Sequence, residues 1–421
     1  VEARECRSCG KSDLIGVLDL GQQPWCNDLI PLTERDSAEV YPLNLAYCKD
    51  CTLLQLNYTV PKEVMFSEHG YLSGMTKTLR DHFWAFAKEN IHEFELGYSD
   101  LIVDIGGNDG TQLLQYKKAG VSQVVNVESA FNIAEISREN GIHTINEFFN
   151  LGTVKKHFSR GSVSLINAAG VFFHLEELHS VIEGIKYLLK KDGVLTVQCM
   201  YAGELVRNQS YDMIYHEHLC YYTLQSLMNL LSPYGLNVFD AYHSPIHSGS
   251  LMVKVCNGRE HEKTHRFSET LEADREYNLS SFLRFADVIR KQRFRLRNFL
   301  RVLKKNNNKI YAYGAPAKGN TLLNFEGIDE TLIDKAVEIN ELKTGYLLPK
   351  SNIPIEKEDP SDYPDYYLLL SHNFADEIIE KNKDLLDKGV KFIVPFPEIK
   401  IVSSTGNTRL PIANQSWEHN I

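Results

Sequence analysis

The stretch from Asp100 to Gly120, DLIVDIGGNDGTQLLQYKKAG, limits the possible folds more than any other. Its apolar run is short enough for a strand buried on both faces, and it breaks at a glycine-rich turn before a helical pattern begins. About twenty residues on, QVVNVESAFNIAEISREN repeats the scheme, with a strand ending in the acid Glu128 and then a helix. VSLINAAGVFFHL and GVLTVQCM supply further strands, with LEELHSVIEGIKYLLKKD as the helix between them. Strands alternating with helices call for a parallel sheet covered on both faces.

The turn itself discriminates between ligands. A dinucleotide fingerprint needs glycines at fixed offsets. If Gly107 and Gly110 serve as its last two, the first falls on Ile105. Asp109 would also face a pyrophosphate across the helix N-terminus, where an anionic ligand is unwelcome beside an acid. An acidic turn suits a ligand with a positive centre and an amino group, and S-adenosylmethionine has both. On this reading Asp104 ends the first strand, Gly106 lets the backbone approach the ligand, and Glu128 takes the ribose hydroxyls.

Four of the eight cysteines form two C-x-x-C pairs, Cys6 and Cys9 in CRSC and Cys48 and Cys51 in CKDC, with about 38 residues between. Each pair makes a knuckle that grips an ion with two thiolates, and two knuckles complete a closed four-sulfur shell. A structural zinc is expected, although iron in a rubredoxin-like site uses the same ligands. Cys26, Cys199, Cys220 and Cys256 read as buried thiols.

The segments fall into an order. Residues 1–65 form a zinc-binding module and 66–258 a methyl-donor-binding core. Residues 259–305 form a polar linker of one or two long helices, and 306–421 a second α/β unit. The last begins at KIYAYGAPAKGNTLLNFEGI, again strand, glycine turn and helix, with later strands in KAVEIN, YYLLLS and KFIVPFPEIKIV. A net charge of -10 argues against a general nucleic-acid or anionic-membrane surface. The apolar stretches fall short of the roughly 18 residues that cross a bilayer. With no secretory h-region at the start, a cytoplasmic monomer is expected.

Six motifs in order carry a resemblance over essentially the whole chain: CRSCG…CKDCTLLQL, YLSGMTKTLRDHF, DIGGNDGTQLL, YDMIYHEHLCYYTLQSL, PIHSGSLMV and YAYGAPAKGNTLLN. Together they resemble the S-adenosylmethionine-dependent sugar C-methyltransferases that act on nucleotide-linked 4-keto sugars, such as those of the tetronitrose and mycarose type. The resemblance implies a zinc module, a Rossmann-like class I methyltransferase core and a C-terminal Rossmann-like domain, with the substrate between the last two. It implies methylation of the carbon beside a ketone. That reaction needs a base for the α-proton and donors for the enolate oxygen. Histidine suits the first role because its ordinary pKa is close to working pH.

The resemblance gives the base to His218, the second histidine of the H-E-H triplet. Glu217 holds the substrate or orients the base, and hydroxyls come from Tyr215, Tyr222 and Tyr71. His247 lines the same cleft. The cofactor set is Asp104, Gly106, Asn108, Asp109, Glu128, Asn150, Asn167 and His174, the last following the fourth strand. Gly314, Lys318 and Asn320 form a cradle for the substrate's diphosphate.

Rival readings exist for several of these. His216 and His218 could share a metal, but the sequence offers no third ligand, and His216 reads as a bystander. The C-terminal glycine turn could be scaffold alone. In INELKTGYLLPKSNIPI, Glu338 stands where the family carries aspartate and Lys350 where it carries glycine; SGS at 248–250 replaces a double glycine, and YLLLSHNF a tryptophan-asparagine pair. These departures bear on which sugar and nucleotide are used. A methyltransferase on a sugar hydroxyl or a non-sugar ketone, and a non-catalytic sugar-nucleotide binding protein, are the alternative functions.

Overall fold

A computed structural model describes residues 1–66, 72–246, 249–258 and 261–410. The chain divides into two compact units, and neither is continuous in sequence. The first comprises Val1–Ile15, Ala46–Gly203 and Glu217–Leu279, and the second Gly16–Leu45, Glu204–His216 and Ser280–Ile421. The four consecutive segments expected from the sequence are therefore interleaved. The metal knuckles join the core unit, while Gly16–Leu45 joins the C-terminal one.

The first unit is built on a seven-stranded sheet. Its order is Leu236–Ser244, Ser250–Asn257, Leu189–Met200, Val163–Ala169, Leu101–Ile105, Gln123–Val127 and His143–Ile145. Five neighbouring strands run parallel, and Ser250–Asn257 is antiparallel to both of its neighbours. In Leu101–Ile105 the residues from Ile102 to Ile105 are all buried, as a strand covered on both faces requires. This first strand has the second on one side and the fourth on the other, so a crevice opens at its carboxyl end. TKTLRDHFWAFAKENIHEF forms the helix Lys77–Glu93, which buries Leu79, Phe83, Phe86 and Ala87 at helical spacing. Thr76 caps it by accepting from the Leu79 amide.

The second unit carries another seven-stranded sheet, ordered Ile355–Lys357, Lys335–Glu338, Ile310–Tyr313, Tyr366–Leu369, Lys391–Val394, Lys400–Ser403 and Gly406–Arg409. The first five are parallel, and the last two are joined by antiparallel pairing, so only Lys400–Ser403 runs against the rest. KFIVPFPEIKIV yields two strands, because Pro395 and Pro397 bring no amide to a ladder.

The expected linker differs as well. Instead of one or two long helices, the described residues of this stretch form three: His265–Asp274, Leu279–Gln292 and Arg295–Lys305. Phe294, at φ 71°, breaks the last two apart, since a left-handed residue cannot continue a right-handed helix. Among the described residues, no helix is long and apolar enough to cross a membrane.

Candidate active site and metal site

The sulfur atoms of Cys6, Cys9, Cys48 and Cys51 all lie within 4.8 Å of one another. A tetrahedral zinc with its usual sulfur distance separates its ligands by about 3.8 Å, so the four thiols fit that ion. Each knuckle closes on a left-handed residue, Gly10 at φ 70° and Thr52 at φ 65°. The Gly10 and Thr52 amides donate to the carbonyls of Cys6 and Cys48, at 2.9 and 3.0 Å. A hydrogen bond from the Cys6 thiol pulls Cys51 down to about 5. Among the described residues this is the one cluster able to hold a metal, and neither His216 nor His218 belongs to it.

The glycine turn after Leu101–Ile105 is more specific than its spelling suggests. Gly106, Asn108 and Gly110 all take positive φ, at 58, 51 and 78°. Asparagine tolerates that region better than most residues and here stands where a third glycine would serve. Gly107 is required for space, because a Cβ there would lie 2.6 Å from Asn126 Oδ1 and 2.9 Å from the Asp104 carboxylate.

Asp104 is 1% exposed, and among the described residues neither carboxylate oxygen has a hydrogen-bond partner. Burial, with Glu128 nearby, pushes it well above the usual carboxylate range. Glu128 is differently placed: its oxygens accept the amides of Asn108 and Ala130 at 3.0 and 2.9 Å. Burial nonetheless raises its pKa.

The remaining cofactor candidates separate. Asn108 Oδ1 accepts the Ser73 amide at 2.9 Å, and Asp109 accepts those of Gly74 and Thr111 at 2.8 and 3.1 Å. Both thus tie the Ser73–Met75 turn onto the glycine turn. Asn150 caps the helix Leu151–His157 by accepting from Thr153. Asn167 pairs with Asp104 across the sheet and accepts from the Tyr116 and Thr196 hydroxyls at 3.2 and 2.7 Å.

The loop after Val163–Ala169 links this turn to the histidines. A Cβ on Gly106 would meet Val171 at 2.8 Å, and three residues on, the rings of His174 and His218 lie 5.1 Å apart. His218 is 3% exposed, with Phe173 edge-on at 4.7 Å. His174 Nδ1 lies 2.6 Å from the Glu217 carbonyl. A carbonyl only accepts, so Nδ1 carries the proton and Nε2 is the acceptor nitrogen of the neutral ring.

Tyr222 is fully buried and donates to the Phe172 carbonyl at 3.2 Å. Burial, with Cys220 nearby, raises its hydroxyl well above the ordinary tyrosine value. That places it in the framework around the histidines. The boundary between the units falls inside YHEH: Tyr215 and His216 belong to the second unit, Glu217 and His218 to the first. His216 is buried against Tyr41, with Nε2 3.3 Å from the Pro42 carbonyl. Tyr71 and His247 lie outside the described residues.

In the second unit, Gly314 (φ 83°) opens the turn that precedes the helix Ala317–Glu326. Lys318 is buried, its ammonium donating to Asn373 Oδ1 at 2.6 Å and lying 3.1 Å from His372 Nε2. That same nitrogen is 2.7 Å from the wholly buried Asp212. Burial brings Lys318 down to about 8. Asn320 donates to the Cys26 carbonyl at 2.7 Å. Sequence reasoning did not assign Asp212, His372 or Asn373 to this cluster; the SHN that departs from the family pattern was the available signal.

Three family models match consecutive stretches of the chain. They are described as "Putative zinc binding domain" over residues 6–66, "Methyltransferase domain" over 78–241 and "C-methyltransferase C-terminal domain" over 245–397. C-methyltransferase NovU of Streptomyces niveus is 31% identical over 408 residues, covering 95% of this chain and 97% of its own. Among solved structures, a geranyl diphosphate C-methyltransferase from Streptomyces coelicolor A3(2) is similar at 11% identity, over 44% of this chain and 85% of that one, with a TM-score of 0.34. PH0226 protein from Pyrococcus horikoshii OT3 is similar at 12% identity, over 44% and 94%, with a TM-score of 0.36.

Proposed function

We propose, from the premise that the chain belongs to the C-methyltransferase family that includes NovU, that it methylates the carbon beside the ketone of a nucleotide-linked 4-keto sugar. At the coarser level the chain is an S-adenosylmethionine-dependent C-methyltransferase with a class I core, a zinc-binding module and a C-terminal α/β domain. The observation that supports the finer reading is the pair of adjacent imidazoles, His174 and His218, at the end of the loop that begins beside Gly106.

Asp104 tests whether the turn suits the cofactor. A buried carboxylate without a partner is costly, and a cationic ligand across the turn offsets that cost. Asp104, Glu128 and the 106–110 backbone are the residues that would hold S-adenosylmethionine, which supplies an electrophilic methyl when bound. His218 takes the α-proton onto its ring nitrogen, and the C–H electron pair becomes the enolate. His174, its ring 5.1 Å from that of His218 and its Nδ1 held by the Glu217 carbonyl, is the neighbour beside which the imidazolium forms. Within the second unit, the N-terminus of Ala317–Glu326, with Gly314 before it, offers its dipole to a nucleotide diphosphate.

The test uses S-adenosylhomocysteine and a dTDP-4-keto-6-deoxy sugar in D2O. NMR should show enzyme-dependent exchange of the α-proton without methyl transfer. No exchange, with both ligands shown to bind, would overturn enolisation and move the search to hydroxyl acceptors. His218→Gln should abolish the exchange and leave S-adenosylmethionine affinity nearly unchanged.

A further inference from the structure

The strand Cys220–Tyr221, which begins two residues after His218, is only two residues long. So short a strand has too few ladder bonds to hold its own position. One edge is held by the loop that carries His174: the Leu219 and Cys220 amides both donate to the Phe173 carbonyl, at 2.7 and 3.2 Å. The other edge is held by the metal module. Cys220 pairs with Gln55 and Tyr221 with Leu54, antiparallel, and the Leu56 amide donates to the Leu219 carbonyl at 3.0 Å. The strand Leu54–Leu56 begins three residues after the ligand Cys51. The Cys51 carbonyl in turn accepts from Asn229 Nδ2, at 3.0 Å, on the helix Leu224–Leu231.

Gln55 joins these pieces. Its backbone is in register with Cys220, and its fully buried side chain reaches the opposite knuckle. There Oε1 accepts the Arg7 amide at 2.8 Å and Nε2 donates to the Glu5 carbonyl at 3.2 Å. Those two peptides flank the ligand Cys6. One residue therefore grips both sides of a metal ligand with its side chain and the strand after His218 with its backbone.

We propose that the four-cysteine module is the template for the segment carrying Glu217 and His218, and that Gln55 is the positioning residue joining the metal to that segment. Loss of the metal frees the first knuckle and removes the anchor of Gln55. The strand Cys220–Tyr221 is then left with a single edge. The module acts on catalysis through placement of a histidine and touches neither cofactor nor substrate. The claim about turnover rests on His218 being the base; the claim about local order does not.

The test is amide hydrogen exchange on the intact protein, wild type and Gln55→Leu, with the metal present and after chelation. Peptides covering 217–222 and the Leu56 amide should lose protection on chelation, while the strand Leu101–Ile105 keeps it. Gln55→Leu should release metal to a chelator about 10–100-fold more readily, the usual effect of losing a partner that orients a metal ligand. With metal still bound it should lower kcat while leaving KM for S-adenosylmethionine unchanged. Gln55→Glu, which retains the acceptor for Arg7, should restore part of the loss.

Unchanged protection of 217–222 in the metal-free protein would overturn the template. So would simultaneous loss at 217–222 and 101–105, because the metal would then support the whole unit. Lost protection at 217–222 with normal turnover would leave the template standing and overturn His218 as the base.

Discussion

The molecule contains two strand–glycine turn–helix units of the same outline, one after Ile105 and one after Tyr313, and they differ in what their charged groups hold. In each, the next strand contributes an acid at its carboxyl end, Glu128 in one and Glu338 in the other. In the first, Asp104 sits beneath the turn with no partner for either oxygen among the described residues. In the second, Glu338 accepts the Ala315, Ile339 and Asn340 amides at 2.8, 2.8 and 3.0 Å, and Lys343 donates to the Ala315 carbonyl at 2.8 Å. Lys318, the one cation in that turn's motif, is turned inward onto Asn373 and His372. The first turn thus keeps an electrostatic demand that a ligand can meet, whereas the charges of the second are satisfied internally. A glycine pattern reports that backbone can come close; the partners of the flanking charges report whether a ligand's charge must complete the site, as in the first turn, or whether only backbone and helix dipole are left to meet it, as in the second.

The largest effect that could break this contrast concerns Lys318. Its folded pKa of about 8 lies below the ordinary lysine value of 10.5, so the unfolded chain binds the proton more tightly. Stability should therefore rise as pH increases from about 8 to 10.5, with the penalty fully present below 8. The shift corresponds to about 3 kcal/mol. Lys318→Met should remove that slope in denaturant titrations run across the window. A slope that survives would mean that the lysine is held by its partners at no cost, and that the second turn is better compensated than its burial implies.

Asp104 sharpens the other side. Removing its charge with Asp104→Asn should weaken S-adenosylmethionine binding by about tenfold to a hundredfold, equivalent to one or two pKa units of interaction. Binding of a nucleotide sugar should not change. The pH dependence has a fixed sign: the raised pKa leaves the group protonated at low pH, so affinity for the cationic cofactor should climb as pH rises through that range and then level off. Calorimetry in buffers of different ionisation enthalpy should detect the proton released, and Asp104→Asn should abolish it. Affinity of the variant equal to that of the wild type at every pH would put both turns in the same class.

How much of this the sequence shows depends on the range of the interactions. The strand Leu101–Ile105, its turn and the four cysteines were legible because each is coded within a few residues by apolar runs, φ-permissive positions or ligand spacing. The partnering of Glu338 with Ala315, or of Lys318 with Asn373 and His372, joins residues 23 to 55 positions apart, and no local pattern announces it. The same holds for Asn150 and Asn167. Both stand in the cofactor set expected from the sequence, and what that set did not show is that one caps a helix and the other accepts two buried hydroxyls. The interleaving of Gly16–Leu45 and Glu204–His216 into the second unit is likewise a tertiary outcome with no compositional boundary to mark it.

Glu338→Ala probes the internal satisfaction of the second turn directly. It leaves three amides without their carboxylate acceptor, each worth about 1 kcal/mol, and more where water cannot reach. The expected result is a moderate fall in nucleotide-sugar affinity with S-adenosylmethionine binding unchanged, because the disturbance is confined to the 314–316 turn and the adjoining 338–340 backbone. Glu338→Asp, the residue that the resembling family carries, should restore part of the loss by reaching one or two of the amides.

The smallest effect expected is a matched pair of glycine substitutions. Gly314→Ala places a Cβ at φ 83° and 2.6 Å from the Ser371 hydroxyl, whereas Gly107→Ala meets Asn126 and Asp104 at an ordinary φ. The left-handed conformation costs an alanine about 1–2 kcal/mol, and the Ser371 hydroxyl, the end of a small side chain, can rotate away. Crowding at Gly107 falls on a carboxylate and a buried amide that already binds the turn, which offer less room to adjust. Both variants should lower stability by a similar amount, about 1–3 kcal/mol. Only Gly107→Ala should also weaken S-adenosylmethionine binding, because it displaces the charge that the cofactor meets. Unchanged cofactor binding in Gly107→Ala would mean that the position of the Asp104 charge contributes nothing to recognition beyond packing.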